Sequence, residues 1–122
     1  MTIYEYNKPE NADLRLSELR EHPDSIVHRL LSDSDANVRH EAAFIISEMQ
    51  EQGKAPGDAL AALCIATHDR SVLVRHEVAL AFGAFPRSRP AEIAIRLLCI
   101  DESEDVQSSA KLTTLKWQRR GV

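Results

Sequence analysis

The sequence predicts an all-α protein, a short right-handed stack of three helical hairpins forming an α-solenoid. Three observations carry that prediction. A nine-residue segment recurs three times, first after 36 and then after 32 residues. Apolar residues recur at helical spacing on both sides of each copy. The composition, 43% hydrophobic but only 5% aromatic, suits a core of aliphatic side chains and alanine.

The three copies run from Asp33 to Glu41, from Asp69 to Glu77 and from Asp101 to Ser109. Asp35, Ser71 and Ser103 each stand three residues before a valine and are residue types that cap helix starts. Each is able to accept a hydrogen bond from an otherwise unpaired first-turn amide. Beyond the first cap, Val38, Ala42, Ile45, Ile46 and Met49 form one helical stripe. Beyond the second, Val74, Val78, Ala81, Phe82 and Phe85 form another. A further apolar run precedes each cap: Ile26 to Leu31, Leu60 to Cys64, and Ile93 to Ile100. Pro23, Gly57 and Pro90 lie near the starts of these runs, where a breaker is tolerated.

The unit is therefore a helical hairpin that cannot bury its own apolar face, so successive units stack. The expected boundaries are a loosely held stretch over 1–10, a capping helix over 11–21, and repeats over about 23–51, 57–86 and 90–119, all in one domain over 11–122. The 52–58 and 85–90 stretches link the repeats. Arg39 and Arg75 follow the repeated valine, and Asp33, Asp69 and Asp101 precede each cap by two residues. That pattern predicts a ladder of Arg-to-Asp contacts fixing the stacking angle.

Charge and composition narrow the function. A net charge of −4 with no concentrated basic face argues against nucleic-acid binding. The one basic cluster, Lys116, Arg119 and Arg120, reads as a helix end complementing its dipole. No apolar run approaches the roughly 20 residues of a membrane span. The first residues lack the pattern of a signal peptide, so the reading is cytoplasmic. Cys64 and Cys99 each sit in a Leu-Cys-Ile context, the setting of reduced core thiols. Phosphate loops and serine-nucleophile elbows are absent.

One feature exceeds the needs of a helix start. His40-Glu41 and His76-Glu77 occupy equivalent first-turn positions of consecutive second helices, and Ser108-Ser109 stands there in the third. An acidic first-turn residue is favoured by the helix dipole alone. The preceding histidines are the informative part, although repeat duplication would also copy them. On parallel helices about 8–10 Å apart, equivalent side chains project from one surface and can converge. His40, His76 and Glu77 would make a two-histidine, one-carboxylate set, suited to iron with open coordination positions, and imidazole also suits zinc. Glu41, left over, would orient a ligand or meet a cationic substrate. Phe44 and Leu80 stand where a zinc-protease motif needs a second histidine.

The runs Val38 to Ala43 and Val74 to Phe85 resemble the His-Glu helices of deoxyhypusine hydroxylase. That enzyme is a HEAT-like repeat protein that hydroxylates a modified lysine with a di-iron centre. The likeness continues through Asp105-Val106-Gln107 and Leu115-Lys116-Trp117, similar to the repeat closing one half of that enzyme, and covers roughly residues 26 to 119. It implies that His40, His76 and Glu77 ligate iron, with Glu41 near the substrate amine. The family carries two such halves and this chain carries one, so the resemblance implies a di-iron site completed across a homodimer. Two other readings stand beside it: a non-catalytic scaffold that binds a partner protein, and a bilin-lyase-type HEAT repeat protein, which shares the repeat without the paired histidines.

Overall fold

A computed structural model describes residues 1–121, in which eight α-helices and no strands occur. Each repeated cap starts a helix. Asp35 accepts from the amides of Asn37 and Val38 to open α4, Ala36–Glu51. Ser71 accepts from the Val74 amide to open α6, Val72–Ala81. Ser103 precedes α8, Glu104–Arg119, without a side-chain cap bond; Glu104 and Asp105 place negative charge in that first turn instead. The partner helices are α3, Ile26–Ser32, α5, Ala59–Ala66, and α7, Arg89–Cys99, whose start carries Pro90 under a Ser88 cap. Three hairpins result, α3 with α4, α5 with α6, and α7 with α8.

Two short helices precede them. Ala12–Glu18 forms α2, continued as a 3-10 turn over Leu19–Glu21, within the span expected for a capping helix. Ile3–Tyr6 forms α1, capped by Thr2. The stretch expected to be loosely held is thus bound to the stack through Arg15, whose Nη1 donates to the carbonyls of Tyr6 and Lys8, both at 2.7 Å. No helix among the described residues is long and apolar enough to cross a membrane.

The second helices form the inner layer, with α6 packed between α4 and α8. The repeated valines, Val38, Val74 and Val106, are fully buried. Full burial of such a side chain is worth about 1.5–3 kcal/mol. Ala43 and Ala79, also fully buried, let α4 and α6 approach closely. At the far end, α6 gives way after Ala81 to a 3-10 turn over Phe82–Ala84, short of the helix that periodicity suggests up to Phe85. The freed carbonyls are taken by α8 and its continuation. Thr113 donates to Ala79 O, Trp117 Nε1 to Phe85 O, and Arg120 to Gly83 O and Phe85 O. One member of the basic cluster therefore serves a neighbouring helix end. Cys64 and Cys99 are half-buried and unpaired.

The ladder is present and longer than the sequence suggested. Arg39 makes a two-bond contact with Asp69 at 2.9 and 3.2 Å, and Arg75 does the same with Asp101 at 2.9 and 3.3 Å. Each arginine also donates 2.8 Å back to the carbonyl of its own repeat's aspartate, Asp33 or Asp69. Gln107 takes that last role for Asp101. The first rung is Arg15 on Asp33, at 2.8 and 3.0 Å, with side chains 1% and 0% exposed. Each aspartate also accepts the amide two residues on, at 2.9 Å in all three copies, which fixes its carboxylate before the arginine arrives.

Candidate metal-binding face

The ladder holds α4, α6 and α8 parallel and in register, so residues at equivalent positions become neighbours. A rule follows from that register: the histidine of one second helix meets the residue at the glutamate position of the next. His40 Nε2 lies 3.2 Å from Glu77 Oε2. His76 Nδ1 lies 2.6 Å from Ser109 Oγ. Ser109, in the slot where the histidine-glutamate pattern ends, is the residue that sequence reading passed over. Its position after Glu41 and Glu77 is the signal that would have found it.

Ser109 is buried, and its hydroxyl also reaches Asp105 O at 3.0 Å. A hydroxyl has one proton. Given to the Asp105 carbonyl, it leaves Oγ to accept from His76 Nδ1–H, and in the neutral ring Nε2 then keeps its lone pair for a ligand. Histidines that ligate metals are commonly held this way through the opposite ring nitrogen. Ser109→Ala is expected to release that tautomer, so long-range nitrogen-proton NMR should show His76 passing to a mixture of forms. The fold should lose only about 1 kcal/mol. An unchanged His76 pattern would show that Ser109 sets nothing.

Glu77 is the hub of the group, only 9% exposed. Burial pushes its carboxyl up, His40 and His76 draw it down, and the Glu41 charge adds to the push; the net direction is upward. Glu41 is half-buried and lies 3.8 Å from Arg20, which pairs more closely with Glu48 at 2.8 Å. The structure thus brings His40 and Glu77 into contact and sets Glu41 and His76 within electrostatic reach of Glu77. It does not gather His40, His76 and Glu77 so that three ligand atoms lie within 4.8 Å of one another. Among the described residues that spacing is met by Glu18, Glu21 and His22, a surface group beside an open cavity of about 640 Å³. His22, His28 and His68 are exposed.

Chemically, the face offers a paired imidazole and buried carboxylate, a second imidazole with one nitrogen tied back, and an outer carboxylate. Such a set can ligate a cation or relay a proton. In comparison with known proteins, a family described as HEAT repeats matches residues 16–113. Comparisons with curated proteins and with solved structures find no match.

Proposed function

Since the chain belongs to the HEAT-repeat family, whose stacked hairpins line up their second helices as one surface, we propose that it binds a divalent metal on that surface, in a site completed by a second copy of the chain. The observation carrying this reading is the His40–Glu77 contact beside a His76 whose Nδ1 is tied to Ser109. Two imidazoles and a carboxylate are the donor types that hold iron with positions left open, and zinc is compatible with them. The donor chemistry fits. One chain leaves the donors ungathered, which is why a second copy enters the proposal.

In this reading His40, His76 and Glu77 hold the metal. The resemblance to deoxyhypusine hydroxylase implies a pair of irons across the dimer, supplying oxygen activation for hydroxylation when bound. The chain's own contributions are separate. Ser109 orients His76, and burial of Glu77 favours a neutralising cation over an isolated negative charge. Glu41, half-buried at the edge of the group, meets the cationic amine of a substrate side chain.

Metal analysis of protein loaded with iron(II) without oxygen, together with its mass in solution, tests this. The expected result is bound metal on a dimer, with His40→Ala and His76→Ala each weakening binding by at least about tenfold. A metal-free monomer after loading overturns it. The exposed Phe44 on α4 and Leu112 and Leu115 on α8 favour a second reading, a scaffold that binds a partner protein without chemistry. In that case both alanine variants would keep normal partner binding.

A further inference from the structure

The face that carries the histidines also carries a charge pattern that metal binding leaves unused. Four residues beyond His40, His76 and Ser108, at equivalent positions, lie Phe44, Leu80 and Leu112, an apolar row crossing all three helices. Phe44 is 39% and Leu112 58% exposed. On one flank, the half of α4 beyond this row is acidic, through Glu48 and Glu51. Arg20 serves both Glu41 and Glu48. On the other flank, the matching half of α8 is basic, through Lys116 and Arg119, both exposed. An apolar centre with opposite charges on its two flanks is complementary to itself.

Two copies meeting on this face are related by a two-fold axis lying in the contact plane, either along α6 or across it. Across it, α4 lies antiparallel on the partner's α4, so Glu48 and Glu51 face that helix's first half and never meet Lys116 or Arg119. Along it, α4 lies on the partner's α8. Glu48 and Glu51 then oppose Lys116 and Arg119 twice, Phe44 opposes Leu112 twice, and Leu80 meets its own copy. We infer that a second copy of the chain docks on the α4, α6 and α8 face about a two-fold axis parallel to α6, so that each α4 lies on the other protomer's α8. This rests on the dimer of the preceding section and adds its axis and contacts. The footprint is adequate. The 16-residue α4 is about 24 Å long. Three helices at about 8–10 Å spacing then cover roughly 600–700 Å², close to the ~800 Å² per partner of a stable interface. The arrangement also places His76 and Glu77 of both protomers beside the axis, whereas His40 faces the partner's Ser108.

Cross-linking and mass measurement together test the inference. In a Cys64→Ser, Cys99→Ser background, chains carrying Phe44→Cys and chains carrying Leu112→Cys should form disulfide dimers when mixed and oxidised, and neither should do so alone. Without relying on cysteine, Glu48→Lys with Glu51→Lys should weaken self-association by about tenfold. Lys116→Glu with Arg119→Glu should do the same, and a mixture of the two variants should reassociate. A dimer in which Phe44→Cys cross-links to itself, or in which the mixture fails to cross-link, overturns this axis and leaves the metal-binding dimer standing. A chain that stays monomeric at high micromolar concentration with iron(II) added overturns both.

Discussion

Asp33→Ala is expected to destabilise the protein by about 3–5 kcal/mol, because it strands a buried guanidinium. The Asp33 carboxylate is fully enclosed. It takes two bonds from Arg15, a third contact from Arg29 at 3.3 Å and the Asp35 amide at 2.9 Å. Removing it leaves Arg15, itself 1% exposed, without its bonded carboxylate and with only the more distant charge of Asp35. The loss is a large share of the roughly 5–15 kcal/mol by which domains of this size are stable. Calorimetry should record it as a melting point lower by about 10–25 °C. Arg15→Met combined with Asp33→Ala is the control, since it removes the guanidinium and the carboxylate together and should cost less than Asp33→Ala alone. Hydrogen exchange should show residues 3–8 opening first, because the same guanidinium holds the Tyr6 and Lys8 carbonyls. A loss below about 1 kcal/mol would reduce the rung to a surface-type ion pair.

The rung also fixes a pH dependence. Burial pushes the Asp33 carboxyl up, but the Arg15 and Asp35 hydrogen bonds and the charges of Arg15 and Arg29 outweigh it, leaving the group below the usual carboxylate range. Asp101 is lowered by the same opposition, burial against Arg75 and the Ser103 amide. A carboxyl whose folded pKa lies below its unfolded value contributes stability that is complete above the unfolded value, about 3.9 for aspartate. That stability is lost as pH falls through the folded value. Acid titration of the native protein should therefore show a stability decline below about pH 4, with the Asp33 share of it missing in Asp33→Ala.

The rungs illustrate what local pattern reveals. Arg39 and Arg75 were legible because each follows a valine inside a recurring segment, and their partners Asp69 and Asp101 recur with them. Arg15 was not, since α2 lacks the repeat's cap and valine. Asp33 opens the first repeat with no arginine assigned to it in sequence, and its donor emerges only in the fold. The caps divide similarly. Asp35 and Ser71 bond as their types suggest, and Ser103, of the same type at the same offset, makes no side-chain cap bond. Within the candidate site, spacing suggested that His40, His76 and Glu77 converge, and of that set the structure brings His40 and Glu77 into contact. The same offset sets Ser109 against His76, but serine is not a metal-ligand type and so was not singled out there. A one-rung slip would pair every histidine differently without altering any local signal.

Trp117→Ala is the second substitution expected to cost about 3–5 kcal/mol, and it carries a consequence for the site. Trp117 is 2% exposed and occupies, in the third repeat, the position held by Met49 and Phe85 in the first two. Its indole Nε1 donates to Phe85 O at 3.1 Å, so it both fills the core and closes the end of the 3-10 turn after α6. Trp117→Phe separates these roles: it keeps most of the bulk, loses the bond and should cost about 1–2 kcal/mol. The difference between the two variants, read by denaturant titration, measures packing apart from hydrogen bonding. Because α8 also carries Ser109, loosening its far end in Trp117→Ala should weaken the grip on His76. The NMR tautomer signature of His76 should then shift in Trp117→Ala and stay native in Trp117→Phe. If His76 keeps its native signature in both, buried Val106 and Ala110 alone suffice to moor the first half of α8, and the site is insulated from the end of its own helix.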